Sequence, residues 1–302
     1  MARILLGINC NFATNRYTEP EEWTRIVGEE LGLRYVQFVS DLLDPYLPYS
    51  IQERVCKETI EACHRYNVRI YATFGGHFAH QHYLGHPDDE IRKESEKWFK
   101  RLITQTALLG GSGTGTCFAI MTVKDNMNPK RREFILNQAI DSYRRLAVFA
   151  KEKGLKYLMF EPTSVPRESA HTIEETRYLL KKCKGMAVPM RLCLDVGHGY
   201  VGSKDPKDGD YCAWLREFGS VSPVIHIQQT NKESSQHWPF TPKYNEKGII
   251  EPGKVIEAIE ESGAEEVLLA FEISQKAFYP IEDQVIDNLK KSVKYWRKYV
   301  RE

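Results

Sequence analysis

The sequence predicts an α/β fold, a closed (β/α)8 barrel that spans residues 1–302 as a single domain. Short runs rich in β-branched and aromatic residues alternate with longer amphipathic segments along the whole chain, and there are eight such pairs. No linker or shift in composition interrupts the alternation. Strict alternation implies parallel strands joined by right-handed crossovers. Six units would favour an open doubly wound sheet, whereas eight in 302 residues favour the closed barrel.

Each predicted strand is followed by a segment that carries helix-start signals. The strands are predicted at Ile4–Ile8, Tyr35–Val39, Val68–Phe74, Thr116–Thr122, Leu155–Phe160, Met190–Leu194, Val224–Gln228 and Val267–Phe271. The helices are predicted at Glu19–Gly32, Ser50–Tyr66, from about His86 onward, Pro129–Lys153, Thr172–Lys182, Asp208–Phe218, Pro252–Ser262 and Ile281–Tyr299. Proline and acidic residues in the first turns, and glycines at the ends, support these helices.

The composition indicates a folded protein with a sizeable buried core. Hydrophobic residues make up 42% of the chain and charged residues 27%, which is enough for a large buried core. The net charge of +1 gives no overall field that would attract nucleic acid or an anionic membrane, so neither partner is expected. Seven scattered cysteines without CxxC pairs are typical of reduced, mostly buried thiols in a cytoplasmic protein.

Four residues that can bind a metal ion lie at the ends of four successive predicted strands. They are Glu161, Asp195, His226 and Glu272, and successive members of this set are separated by about one β/α unit. Active-site residues of such a barrel come from the carboxyl ends of the strands, so these side chains are expected at one mouth. Three carboxylates and one imidazole suit Mn²⁺, Mg²⁺, Co²⁺ or Zn²⁺, and the absence of cysteine argues against a soft-metal site. The alternative is that each acid only caps the following helix.

Other polar residues follow the same strand ends. His198 comes three residues after Asp195, in a turn that would place its imidazole beside the metal, although a capping histidine is the alternative. Arg167 and Glu168 lie on the loop after the fifth strand, where they are candidates for substrate binding or form a surface ion pair.

Two further motifs are interpreted as a loop that covers a substrate and as a turn. His77, His80, His82 and His86 follow the third strand without strand-borne carboxylates, so we predict a loop that covers a substrate rather than a second metal site. The segment 110–115 resembles a dinucleotide-binding loop, but it precedes a strand instead of opening a helix, which favours a turn.

The long loop at Gln229–Glu251 follows the seventh strand. Loops of this length in a compact domain are usually functional. Lys232, His237 and Trp238 are its candidates for contact with a substrate. The alternative is a contact between subunits of a homodimer, because exposed tryptophan is common at interfaces.

Taken together, these motifs resemble the xylose-isomerase-like TIM-barrel superfamily, and within it the D-tagatose 3-epimerase and sugar-phosphate isomerase/epimerase group. The resemblance covers essentially the whole chain. The residues that carry it are Glu161-Pro162, Asp195 with His198, His226 with Lys232, and Glu272 after the eighth strand. A narrower likeness, in the segments 161–168, 226–230 and 237–241, is to a bacterial subgroup that includes D-erythrulose 1-phosphate 3-epimerases.

The resemblance implies a metal-dependent epimerase acting at C3 of a short ketose, free or phosphorylated, with Mn²⁺ as the expected ion. It implies that Glu161 and Glu272 move the proton through an enediolate while also binding the metal. The remaining candidates would bind substrate: His198, Arg167 and Glu168 the oxyanion and hydroxyls, Lys232 and His237 a phosphate, and Trp238 the apolar face. Related epimerases have arginine where this chain has Lys232, so this position departs from the pattern of the family.

Three other functions are compatible with parts of the pattern. An aldose–ketose isomerase would use the same metal site. A nuclease of the endonuclease IV branch would need a three-metal cluster and a basic face, which the balanced charge does not favour. A non-catalytic sugar-binding protein would not need an intact set of metal ligands.

Overall fold

Eight parallel strands form one sheet at the centre of the molecule. The computed structural model describes residues 2–76, 80–81, 83–199, 201–275 and 280–300. The strands are β1 (Arg3–Asn9), β2 (Tyr35–Val39), β3 (Arg69–Phe74), β4 (Gly113–Cys117), β5 (Tyr157–Glu161), β6 (Met190–Asp195), β7 (Val224–Ile227) and β8 (Glu266–Phe271). Their order in the sheet is β3-β2-β1-β8-β7-β6-β5-β4, so β3 and β4 are its two ends.

The two end strands approach each other and nearly close the sheet into a barrel. The amide of Gly75 donates a hydrogen bond of 2.8 Å to the carbonyl of Gly115, and the amide of Ser112 donates one of 3.0 Å to Tyr71. These bonds give the backbone groups at the sheet ends partners that an open sheet would lack. The predicted (β/α)8 barrel is therefore confirmed.

Helices connect the strands and cover the outside of the barrel. They are α1 (Pro20–Arg25), α2 (Tyr49–Arg65), α3 (Asp89–Leu108), α4 (Val123–Asn126), α5 (Pro129–Glu152), α6 (Ile173–Lys182), α7 (Tyr211–Phe218), α8 (Pro242–Asn245), α9 (Pro252–Glu261) and α10 (Glu282–Trp296). Several begin with side-chain caps: Asp88 accepts hydrogen bonds from Glu90 and Ile91, and Thr172 accepts one from Glu175.

The strands are apolar because helices or barrel packing cover both of their faces. In β8 every residue after Glu266 is buried, and all of β5 and β7 are buried. Continuous burial is typical of parallel sheets with helices outside. Burying a Val, Leu or Ile side chain contributes about 1.5–3 kcal/mol, so these strands form a rigid support for the side chains at their ends.

The fourth strand lies earlier than the sequence analysis predicted, at Gly113–Cys117 instead of Thr116–Thr122. The neighbouring strand approaches so closely that a side chain at Gly115 would overlap the carbonyl oxygen of Met159. Glycine is required there although its strand propensity is low, and that low propensity misled the prediction. The predicted turn at 110–115 is correct only for its first part, where Gly110 has a φ of +72°.

The cysteines, the apolar character of the helices and the loop after β7 complete the description of the chain. All seven cysteines are free and buried, as predicted. Across the part of the chain that is described, no helix combines the length and apolar character needed to cross a membrane. The long loop after β7 contains α8 and an antiparallel bridge, in which Gln229 and Trp238 exchange two hydrogen bonds of 2.9 Å.

Candidate metal centre and active-site cavity

The four predicted metal ligands come from four adjacent strands at the same end of the barrel. Glu161 and Asp195 are the last residues of β5 and β6, His226 lies in β7, and Glu272 directly follows β8. Asp195 and His226 are paired in register across β6 and β7, and the amide of Glu272 donates a hydrogen bond of 3.0 Å to Ile227. The strand register therefore brings all four to one level.

Their side chains converge on the imidazole of His226. Its Nδ1 lies 3.0 Å from Oε1 of Glu161, 3.1 Å from Oε2 of Glu272 and 3.9 Å from Oδ2 of Asp195. One ligand atom from each of the four lies within 4.8 Å of the others. Ligand atoms that share one ion at about 2.0–2.2 Å lie roughly 3–4 Å apart, so the cluster has the dimensions of a single-ion site.

Two features of this cluster call for a cation. Nε2 of His226 lies 2.5 Å from Oε1 of Gln37, an amide oxygen that can only accept, so Nε2 carries the proton. In the neutral ring, Nδ1 then directs its lone pair at the three carboxylates, which is repulsive unless a proton or a metal cation lies between them. In addition, Oδ2 of Asp195 is buried and has no hydrogen-bond partner among the residues that the structure describes. The residues present therefore fit a divalent ion.

The charges around His226 shift the pKa values of the cluster. Burial lowers the pKa of the His226 imidazole, but Cys193 and Glu272 outweigh burial and hold it well above its usual value. Burial raises the pKa of Glu272, but His226 and the other imidazoles outweigh burial and hold it well below its usual range. Burial raises the pKa of Asp195. Without a cation, a proton on the imidazole balances part of the carboxylate charge, and a bound cation takes over that role.

A cavity of about 330 Å³ opens above the cluster. Its wall includes Glu161, Glu272, Glu168, His198 and His237. This volume lies at the lower end of the range for small-molecule sites. No lysine or arginine lines the cavity among the residues that the structure describes. The site is therefore sized for a small polar ligand, with carboxylates and imidazoles as its charged groups.

Two histidines stand at the edge of the metal cluster. Nδ1 of His198 lies 3.5 Å from Oε1 of Glu161, and Nε2 of His198 lies 3.4 Å from Nε2 of His237. Burial lowers the pKa of His198, but Asp195 and Glu161 outweigh burial and raise it. Nδ1 of His237 lies 3.0 Å from the carbonyl oxygen of Glu272 and donates to it. The structure thus places His198 where it was predicted and brings His237 beside the cluster as well.

Glu168 also faces the cavity, on the short 3-10 helix Pro166–Glu168. Its side chain is buried, and Oε2 accepts a hydrogen bond of 3.0 Å from the Thr163 hydroxyl. Of the four predicted loop histidines, His80 lines the cavity and His86 accepts a hydrogen bond from the Asp88 amide. His77 and His82 lie outside the described residues.

Three predicted substrate residues are not part of the wall of this cavity. The Arg167 guanidinium is 3.7 Å from Glu168, and its side chain is 42% exposed. Lys232 is exposed and lies in the wall of a neighbouring cavity of about 710 Å³. The Trp238 ring stacks on Tyr244 with 5.1 Å between ring centres. Their contacts with a substrate stay predictions.

Several residues that support the cluster were missed by the sequence analysis. Asn9 donates to Oε1 of Gln37 at 2.9 Å, and Gln228 donates to Oδ1 of Asp195 at 2.9 Å. A polar residue within or directly after a short apolar run is the signal that could have found them. Cys193 was also missed: its Sγ lies 3.3 Å from Nε2 of His226, on the side of the ring away from the carboxylates. Cys193 precedes Asp195 by two positions, and alternate residues of a strand point to the same face.

Residues 27–299 match the family model described as xylose isomerase-like TIM barrel. The chain belongs to this family, which confirms the resemblance, and it is an isomerase, as predicted. Among characterised relatives, the D-erythrulose 1-phosphate 3-epimerase of Brucella abortus (strain 2308) is 35% identical over 299 residues, which cover 98% of this chain and 96% of the relative.

Solved structures agree with this assignment. A Rhodospirillum rubrum ATCC 11170 protein described as "Putative Xylose isomerase" has a TM-score of 0.89 and 29% identity, over 98% of this chain and 99% of that one. The D-psicose 3-epimerase of Clostridium cellulolyticum H10 has a TM-score of 0.71 and 16% identity, over 99% of this chain and 100% of that one. At that identity the second likeness shows the fold alone.

Proposed function

We propose that this chain is a divalent-metal-dependent epimerase that inverts C3 of a short ketose phosphate. The observation that carries the proposal is the position of Glu161 and Glu272. Their oxygens lie 3.0 and 3.1 Å from the same atom, Nδ1 of His226, and both side chains border the cavity. Two carboxylates at one metal position are what two proton transfers at a single carbon require. The name of the Brucella relative supports both the reaction and the substrate class.

The metal would be held by Glu161, Asp195, His226 and Glu272. We propose Mn²⁺ as the bound ion, with Mg²⁺, Co²⁺ and Zn²⁺ as alternatives that the same oxygen and nitrogen ligands could bind. When bound, the ion supplies Lewis acidity that polarises the ketose carbonyl and makes the adjacent C3–H more acidic.

The protein's own groups would carry out the proton transfers. One of the two glutamates removes the C3 proton, which leaves the substrate as an enediolate, and the other returns a proton to the opposite face. An imidazole lies 3.5 Å from each: His198 beside Glu161 and His237 beside Glu272. These imidazoles can hold the charge that develops on the substrate oxygens.

Substrate binding follows from the polar groups in the cavity wall. Oε1 of Glu168 accepts no hydrogen bond from any described residue, so it is available to a substrate hydroxyl. His198 and His80 can contact further hydroxyls. We keep Lys232 and His237 as the proposed phosphate contacts, although only His237 lines the cavity.

An aldose–ketose isomerase is the second candidate. The same carboxylates could move the proton between C1 and C2, and the description of the Rhodospirillum rubrum protein favours this reading. An exchange experiment separates the two reactions because each labels a different carbon.

The test is to incubate the Mn²⁺-loaded chain in D2O with D-erythrulose 1-phosphate and a panel of ketoses and ketose phosphates, followed by NMR. Deuterium at C3 together with the C3 epimer would support the proposal. Deuterium at C1 or C2 would support the isomerase instead. A chain of verified metal content that exchanges no substrate proton would contradict both. The chelator-treated chain is the control and should give no exchange.

A further inference from the structure

A second group of metal-binding side chains lies in the wall of the same cavity. It consists of His80, Cys117 at the end of β4, and Glu168. One nitrogen, one sulfur and one oxygen from these residues lie within 4.8 Å of one another. None of the three belongs to the cluster around His226, and they include a thiol, which that cluster does not use as a ligand.

The buried members of this group have unused bonding capacity. Glu168 and Cys117 are only 6% and 7% exposed. Oε2 of Glu168 accepts from Thr163, whereas Oε1 accepts no hydrogen bond from the described residues and lies 3.9 Å from Nε2 of His80. Sγ of Cys117 lies 4.0 Å from Oε2 of Glu168, a distance at the outer limit for a sulfur hydrogen bond. Oε1 of Glu168 also lies 3.7 Å from the Arg167 guanidinium, but neither this contact nor the one with His80 is short enough to be a hydrogen bond, so Oε1 can still bind an ion.

We propose that His80, Cys117 and Glu168 form a second cation site that selects thiophilic ions such as Zn²⁺ or Cd²⁺. A thiolate, an imidazole and a carboxylate are zinc ligands, and three protein ligands leave a coordination position open to the cavity. On binding, the Cys117 thiol loses its proton to solvent and the sulfur forms the bond to the ion. The cluster around His226 offers only oxygen and nitrogen ligands, so the two sites should prefer different ions.

The position of this site has a consequence for catalysis. Cys117 and Glu161 are paired in register across β4 and β5, so the two sets of ligands begin from neighbouring positions. An ion held by Cys117 would occupy space beside Glu161 that a substrate needs. Excess Zn²⁺ should therefore inhibit turnover, a consequence that rests on the proposed function, whereas the binding of the ion does not.

The test uses the full-length chain stripped of metal and titrated with Co²⁺ and with Cd²⁺, with bound metal measured by equilibrium dialysis. We expect two ions per chain and an intense near-ultraviolet band from thiolate-to-metal charge transfer. Cys117→Ser should bind one ion and lack the band. Glu168→Gln and His80→Ala should each weaken the binding that produces the band by at least about tenfold.

Cys193→Ser is the matched control, because Cys193 is the cysteine that contacts His226. It should keep the charge-transfer band. A folded wild-type chain that binds one ion and shows no band would overturn the proposal. Loss of the band in Cys193→Ser but not in Cys117→Ser would also overturn it, since the thiolate would then belong to the first site. None of these measurements needs a substrate, so failure of the proposed reaction would leave the result interpretable.

Discussion

Gln37 should control the metal affinity of the site without touching the metal. It is fully buried in β2, and its Oε1 lies 2.5 Å from Nε2 of His226. This contact keeps the proton on Nε2 and leaves Nδ1 free as a ligand. Gln37→Met replaces the amide with a side chain of similar shape that offers only a weak sulfur acceptor. We expect this substitution to weaken Mn²⁺ binding.

The magnitude follows from the burial of the imidazole. Without Gln37, the Nε2–H of His226 loses its acceptor at a position with no solvent exposure, which costs about 1–3 kcal/mol. The ring can avoid that cost by moving its proton to Nδ1, but this removes the ligand atom. Either change makes metal binding less favourable, because the metal-bound form needs the proton on Nε2 and the lone pair on Nδ1. A loss of about 10- to 100-fold in affinity is expected, which corresponds to roughly 1.4–2.7 kcal/mol.

The assay is calorimetric titration of the metal-free chain with Mn²⁺, with circular dichroism to verify folding. Gln37→Glu keeps an acceptor at the same place and should bind Mn²⁺ at least as tightly as wild type. Gln105→Met is the matched control, because Gln105 is a buried glutamine that bonds to Leu43 and Gln52 away from the site. It should lower stability but leave the Kd unchanged. A folded Gln37→Met protein with a Kd within about twofold of wild type would refute the reasoning.

Three other outcomes are expected. Replacing Glu161 or Glu272 by glutamine should lower kcat at least about a hundredfold in protein of verified metal content, because an amide cannot transfer the proton. If steady-state kinetics show near-normal turnover for one variant, that glutamate does not belong to the acid/base pair. Lys232→Ala should raise KM for a phosphorylated ketose about tenfold or more and leave KM for the free sugar unchanged, and an unchanged preference would move the phosphate site elsewhere. Glu175 lies in α6, where its carboxylate accepts hydrogen bonds from the His171 imidazole and the Arg132 guanidinium. Burial raises the pKa of Glu175, but these two contacts outweigh burial and lower it. Glu175→Gln should therefore cost about 1–3 kcal/mol in urea unfolding at neutral pH, and this difference should vanish as the pH falls through the lowered pKa of the folded state; a difference that persists in acid would show that charge is not its origin.

The barrel and the position of its candidate metal ligands could be predicted because both depend on local patterns. Apolar runs separated by amphipathic segments specify strands and helices, and a carboxylate at the end of such a run has a defined position in a parallel barrel. Glu161, Asp195, His226 and Glu272 all satisfy that rule, and the structure brings them together.

What could not be predicted depends on distances across the barrel or on loop conformation. Gln37 and His226 are far apart in sequence, and their contact exists only because the sheet curves until β2 and β7 approach each other. The limits of β4 were wrong because the close approach of β5 outweighs the low strand propensity of Gly115. In the long loop no periodicity sets side-chain direction, so the different surroundings of Lys232 and His237 were not foreseeable.

The candidate metal ligands lie on strands and the proposed recognition residues lie on a loop, which suggests how this protein could be redesigned. The four candidate ligands are anchored in or directly beside β5 to β8, whereas Lys232, His237 and Trp238 belong to a loop outside the strands. Loops tolerate replacement far better than the elements that they connect. A library that varies residues 231–234 would therefore change the loop while keeping Ser235, which hydrogen-bonds to the Gln228 side chain that donates to Asp195. Residue 237 should stay fixed, because His237 has a φ of +50° and donates to Glu272, so it ties the loop to the centre.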